Sequence, residues 1–218
     1  MEPSVNLRQA IEGRRAARAF RSDPIPDAIL QEILRLGTQA PSGFNLQPWR
    51  FIVVRSLENK QKLRACAFDQ RQVEEAPVVL ICCGDRNVSQ SDYIESVIAL
   101  GKEQDAINDT YADVIRSKIP ALFENRPCFE SLEAWTNRHT ILAVAYLTIA
   151  ARGYGVDSCP MEGFVTTQVK EAFKIPEDVD VCCLLPLGYP AEPFKKYGGR
   201  FSLEQVCHGE VYGKEFRL

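Results

Sequence analysis

Arginine is concentrated near the start of the chain, where Arg14-Arg15-Ala16-Ala17-Arg18-Ala19-Phe20 sets three guanidinium groups within five residues. Such charges repel unless an anion neutralises them, and the planar guanidinium fork matches the oxygens of a phosphate. A solvated basic turn is the plainer account of the same residues. Further along, Ala40-Pro41-Ser42-Gly43-Phe44-Asn45-Leu46-Gln47-Pro48-Trp49 gathers a hydroxyl and two amides. These groups can read the polar edge of a heteroaromatic ring, although a loop with two turn prolines and a core Trp would look alike. In Cys159-Pro160-Met161-Glu162-Gly163-Phe164 the glycine permits close backbone approach to a flat ligand, or merely turns the chain. Leu187-Gly188-Tyr189-Pro190 closes an apolar run, and Arg200 follows in the tail. Neither GxGxxG nor GxxxxGK[ST] occurs, which argues against a nucleotide held through a Rossmann or P-loop cradle.

Periodicity gives the helices and strands on which these segments hang. Residues 6–13 read as a short helix, with Leu7, Ala10 and Ile11 on one face and the arginines just beyond its end. A second helix carries Ile29, Leu30, Ile33 and Leu34 at helical spacing and stops near Gly37 and Pro41. Short strands are expected at 51–54, 77–83 and 179–187, and Ser56 is placed to cap a helix between the first two. Polar helices fill 90–118 and end or break at Pro120, leaving 119–130 as a loop with Phe123 and Phe129. The most apolar helix spans 132–151, with Trp135, His139, Leu142, Tyr146 and Ala150 on one stripe. It is expected to cross the middle of the fold or a subunit interface. Thr166 or Thr167 starts another helix, and 188–218 is turn-rich with no core of its own. Many helices and few, irregularly ordered strands predict one α+β domain over 1–218.

Composition removes other classes. The 218 residues hold 45% apolar and 25% charged side chains, and 26 Lys+Arg against 29 Asp+Glu give a net charge of −3. That balance does not suit wrapping nucleic acid or coating an anionic membrane. No apolar run approaches the roughly 20 residues of a membrane span, and the first residues lack a secretory pattern, so a cytoplasmic location is expected. Of the eight cysteines, Cys82-Cys83 and Cys182-Cys183 sit in strand-like apolar runs, where vicinal side chains face opposite ways. With two histidines and no CxxC, no metal site is expected, and the cysteines read as core thiols in a reducing compartment. Cys159 and Cys207 are left as candidate exposed thiols.

Taken together, in this order and spacing, the four segments resemble the FMN-dependent nitroreductase family over about residues 6–205. That family carries RRSxRxF, PSxxNxQPW, a P-M-x-G-F-like turn and a G-Y-P strand end followed by a basic residue. The resemblance implies an α+β sandwich, a small central sheet flanked by helices, in an intertwined homodimer whose tail (190–218) wraps the partner. It implies FMN at the subunit interface and ping-pong electron transfer from NAD(P)H to nitroaromatics, quinones or similar flat acceptors. By position, Arg14, Arg15 and Arg200 are expected at the FMN phosphate and ribityl chain, and Arg18 at the N1/O2 edge of the ring. Pro41, Ser42, Asn45 and Gln47 are expected to come from the partner subunit. Gln72, with Asp69, is expected at the polar edge, and Pro160, Met161, Glu162 and Gly163 against the other face, with a backbone N–H at N5. Phe44, Tyr111, Phe123 and Phe129 are expected to wall the acceptor pocket. Ala16 and Gly198 depart from the family pattern and thin the phosphate site. The same fold also hosts flavin fragmentation, reductive dehalogenation and flavin binding without catalysis, and the sequence leaves these open.

Overall fold

The most apolar strands of the chain form the centre of an antiparallel sheet. In a computed structural model describing residues 3–125, 131–194 and 196–217, the strands are β1 (Trp49–Val54), β2 (Val78–Asp85), β3 (Asp157–Ser158) and β4 (Val179–Gly188), ordered β1-β2-β4-β3. Every neighbouring pair is antiparallel. The helices are α1 (Leu7–Gly13), α2 (Asp27–Gly37), α3 (Leu57–Cys66), α4 (Arg71–Glu75), α5 (Ser91–Glu103), α6 (Asp109–Asn125), α7 (Leu132–Gly153), α8 (Thr166–Phe173) and α9 (Leu203–Val206). The architecture is α+β, as the sequence leads one to expect. Among the described residues, no helix is long and apolar enough to cross a membrane.

Caps explain where several helices start. Asn6 and Gln9 exchange bonds with each other's backbone at the head of α1, while Ser56 and Ser131 accept from the third residues of α3 and α7. The sheet then buries both faces by alternation. Val79, Ile81 and Cys83 of β2 face a core with Leu63 of α3, Val73 of α4 and Val169 of α8. Val78, Leu80 and Cys82 face the opposite core, with Ile33 of α2 and Val144, Leu147 and Ala151 of α7.

The pairing of β2 with β4 is irregular at one point. Cys82 pairs with Cys183 but Cys83 pairs with Val181, so Cys182 is an extra residue on β4. A bulge of this kind reverses the strand's parity. Val181 therefore faces the α3 side, while Cys183, two residues on, faces α7.

Two sequence expectations are corrected. Residues 119–125 are not a loop, because α6 runs through Pro120 to Asn125. Ala112, Ile115, Ile119 and Phe123 continue one buried face across the proline. Burying each large side chain contributes about 1.5–3 kcal/mol, enough to offset the ~3 kcal/mol an interior proline costs. On α7, the residues facing the sheet are Thr136, Thr140, Ala143, Leu147 and Ala151, while Leu142 and Tyr146 of the apolar stripe are each 43% exposed. Small residues let α7 approach the sheet, to the point that the Thr140 hydroxyl donates to the Cys83 carbonyl at 3.4 Å. Second, Cys159 is no exposed thiol; it is buried in the α3-side core.

Candidate functional site

The chain leaves α1 at Arg14 and runs extended beside β3. Ala16 bridges Ser158, and the Ala17 N–H donates to the Ser158 carbonyl at 3.1 Å. Extended backbone alternates, so Arg14, Ala16 and Arg18 share one side while Ala17 and Ala19 enter the core. Arg15 lies off that row. Its guanidinium donates to the carbonyls of Glu12 and Arg14, both at 2.7 Å, and sits 4.2 Å above the ring of Tyr197. Arg200 stands 5.5 Å from the same ring, which docks the tail on the start of the chain. The Ser158 hydroxyl beside Ala16 is buried and finds no partner among the described residues.

Arg14 opens onto a cleft of about 440 Å³. Pro160 and Glu162 line it from one element, and Ile141, Ala145 and Thr148 of α7 from another. Cys183 reaches it because the bulge has turned that residue to the α7 side. Burial pushes the Cys159 thiol up, while the nearby charges of Arg18 and Arg14 pull it the other way. Both cations are thus within electrostatic reach of the residue that starts the 160–164 turn.

That turn has an uneven hydrogen-bond inventory. Met161 exchanges two 2.9 Å bonds with Leu184, and the Phe164 N–H donates to the Glu162 carbonyl at 3.1 Å. The Gly163 carbonyl accepts from Gln70 Nε2 at 2.8 Å. Both carbonyls are therefore engaged, while the N–H groups of Glu162 and Gly163 donate to none of the described residues. Gln72 donates to Gln70 Oε1 at 3.2 Å. Asp69 is clamped by Arg64 at 2.8 Å, and Phe68 stands exposed beside Gly163. Asp69 and Gln72 thus lie next to the turn, but the direct contact is made by Gln70, which sequence reasoning passed over. Phe68, Cys183 and the α7 wall were missed as well. The only local signal was the nearness of Gln70 to Asp69 and Gln72.

Pro41, Ser42, Asn45 and Gln47 lie elsewhere in the same chain. The Ser42 hydroxyl accepts from the Gln47 N–H at 2.9 Å, and the Tyr93 hydroxyl donates to the Leu46 carbonyl at 2.8 Å. Gln47 lines a second cleft of about 260 Å³ with Arg50 and Tyr93, and none of these four lines the Arg14 cleft. Phe44 packs on the cluster of Leu46 and Trp135. Phe123 is buried edge-on to Trp135, ring centroids 5.3 Å apart, and Tyr111 is half-exposed on α6. Phe129 lies outside the described residues.

Backbone strain marks the same loops. Eight described non-glycine residues have positive φ, and five of them are Phe44, Asn45, Gln47, Phe68 and Asp69. Bulky residues persist there only where the surroundings over-determine the conformation, which is a property of functional loops.

Known proteins match this arrangement. The nitroreductase family profile matches residues 11–189. A Thermus thermophilus protein named NADH dehydrogenase is 35% identical over 190 residues, covering 87% of this chain and 89% of its own. A Bacillus subtilis relative, YdgI, carries the name NAD(P)H nitroreductase and is 34% identical, covering 84% and 88%. Among solved structures, a nitroreductase of Exiguobacterium sibiricum in complex with FMN superposes with a TM-score of 0.83 at 26% identity, covering 96% and 99%. By profile, sequence and fold alike, the chain belongs to the nitroreductase family.

Proposed function

We propose that this protein is an FMN-dependent oxidoreductase that takes electrons from NAD(P)H and passes them, in a ping-pong cycle, to nitroaromatics, quinones or similar flat acceptors. One observation carries the reading. The Arg14 cleft joins a cation and an apolar α7 wall, and it is bordered by the 160–164 turn, whose Glu162 and Gly163 N–H groups have no described partners. FMN asks for those three things: a counter-charge for its phosphate, a flat apolar seat and donors for the acceptor atoms of its ring. At Gly163 a Cβ would stand 3.0 Å from Gln70 Nε2 and crowd the turn that carries those donors.

FMN, when bound, supplies the hydride- and electron-accepting chemistry, and no acid or base side chain is required. This chain's residues bind and tune. Arg14 holds the phosphate, with Arg15 and Arg200 holding the tail nearby through Tyr197. Arg18 lies on the same side of its extended segment as Arg14, and a cation beside the ring favours the extra negative charge of the reduced state. The Glu162 and Gly163 N–H groups fix the ring's polar centre, and Ile141, Val144 and Ala145 keep water from one face. Donor and acceptor sharing this one site bind in turn rather than together.

The homodimer belongs to the same reading. The Pro41–Gln47 loop lies away from the cleft of its own chain, and α7 and α1 leave Leu142, Tyr146, Leu7 and Ile11 exposed. An interface over these faces brings the partner's loop to the cleft and gives the exposed tail residues Phe201, Val211 and Tyr212 a surface to cover. A cytoplasmic setting fits the pyridine nucleotide and the free thiols. The test is light scattering of the purified holoprotein, then anaerobic titration with NADH and NADPH followed by a nitroarene and a quinone. The expected result is an FMN-loaded dimer whose visible flavin band bleaches and then returns. A monomer that keeps FMN overturns the interface, and a band that no pyridine nucleotide bleaches overturns the reaction.

A further inference from the structure

Two segments 93 residues apart meet through one side-chain amide, that of Gln70, and this contact sets how the 160–164 turn faces the cleft. Gln70 Nε2 donates to the Gly163 carbonyl at 2.8 Å and to the Ala67 carbonyl at 3.0 Å. Both partners are carbonyl oxygens, so only the NH2 end of the amide fits there. Its Oε1 accepts from Gln72 at 3.2 Å, which opposes a flip of the amide. Behind it, Arg64 grips Asp69 at 2.8 Å and Glu74 at 3.1 Å, holding a loop in which Phe68 and Asp69 keep positive φ. The position of Gln70 is thus set from several sides.

The consequence runs through peptide geometry. In a trans peptide the C=O and N–H point opposite ways. With the Gly163 carbonyl turned onto Gln70, the Phe164 N–H of that peptide points back to the Glu162 carbonyl, which it meets at 3.1 Å. The Glu162 carbonyl being so engaged, the Gly163 N–H of its peptide points away from it. We infer that Gln70 is a positioning residue for electron transfer: its amide locks the Glu162-Gly163-Phe164 turn so that the turn offers N–H donors, and no carbonyl, to a flat cofactor in the cleft. The inference rests on the cleft being the FMN site, and it adds that a residue outside the cleft lining decides which backbone groups meet the flavin's N5.

The test compares FMN with 5-deaza-FMN, which has the same phosphate and ring shape but a C–H where N5 would accept a hydrogen bond. Both are titrated by fluorescence into apoprotein of the wild type and of Gln70→Glu, an isostere that at neutral pH cannot donate to either carbonyl. One neutral hydrogen bond corresponds to roughly 3- to 10-fold in affinity, so the wild type is expected to prefer FMN by that factor. In Gln70→Glu the preference is expected to fall to within about twofold, with 5-deaza-FMN bound about as well as by wild type. A purely structural role would weaken both flavins alike, and that result overturns the inference. So does a preference that survives the substitution. A wild type indifferent to N5 instead overturns the placement of the flavin ring, and the inference with it. Should Gln70→Glu fail to fold, Gln70→Leu is read by the same two affinities.

Discussion

The sheet and the rim of the cleft solve opposite problems. On the sheet, β2 is buried along its whole length and pairs on both edges, with apolar side chains filling a core on each face. At the rim, the 68–69 loop holds backbone at positive φ and the turn after Cys159 leaves two N–H groups without described partners, while the 44–47 loop, held at positive φ in the same way, lies elsewhere in the chain. The sheet contributes stability, and the rim spends some of it to pre-position donors. The bulge at Cys182 is where the two meet, since it turns Cys183 to the α7 side, where the residue is packed in the core and borders the cleft.

This division can be broken by a crossed pair of substitutions, where the largest effects are expected. Leu80→Ala empties a fully buried site on β2 and is expected to cost about 2–5 kcal/mol in urea unfolding. Flavin affinity of the folded fraction should stay within about twofold. Arg14→Ala is expected to do the reverse, weakening FMN roughly 10- to 150-fold through loss of a charge-assisted bond. Riboflavin, which lacks the phosphate, should be almost indifferent, and stability should move by about 0.5 kcal/mol or less. If Arg14→Ala weakened riboflavin as much as FMN, the arginine would belong to the fold and the division would fail.

The cysteines sharpen the comparison through pH. Burial, then the neighbouring Cys183, pushes the Cys83 thiol up to about 12, and burial does the same for Cys182. A folded-state pKa above the unfolded value contributes stability that is whole below about pH 8.5–9 and is lost as pH rises toward 12. Between pH 9 and pH 10 this thiol alone should cost the wild type about 1 kcal/mol. Under reducing conditions, Cys83→Ala should show a shallower alkaline loss by that amount. Equal slopes would mean the thiol ionises as freely in the fold as outside it.

Legibility in the sequence divides along the same line. Strands β2 and β4, the capped helices and the four motif segments are written in local residues, and local patterning suffices to find them. Pro120 misled because a proline's local cost was outweighed by burial of Ile119 and Phe123, which only the tertiary fold supplies. On α7, large apolar residues stand out in a sequence, but the face that packs on the sheet also carries Thr136, Thr140 and Ala143, which periodicity does not mark as core. The bulge at Cys182 is a matter of register between strands a hundred residues apart, and Gln70 gains its role from a glycine that the chain brings back to it. Motifs name the groups that touch a ligand, and they say little about which neighbours aim those groups.

The smallest expected effect asks whether strain itself separates the two regions. Lys174 ends α8 with φ +53, a left-handed position where a side chain costs on the order of 1 kcal/mol and glycine almost nothing. Asn45 sits at φ +54 in the loop expected to reach the partner's cleft. Lys174→Gly should raise stability by about 0.5 kcal/mol, after allowing for the extra freedom glycine adds to the unfolded chain, and leave FMN affinity alone. Asn45→Gly relieves the same kind of strain, and less of it, because Asn tolerates this conformation. Yet, if the proposed dimer brings this loop to the partner's flavin, it removes an amide of that site and a constraint that holds the loop, so FMN affinity should fall several-fold, on the scale of one hydrogen bond. Paired urea unfolding and flavin titrations of the two variants separate the outcomes. Strain that matters only as a cost would let both substitutions pass without effect on the flavin; strain that holds a loop in place for binding predicts that only the one at Asn45 is felt.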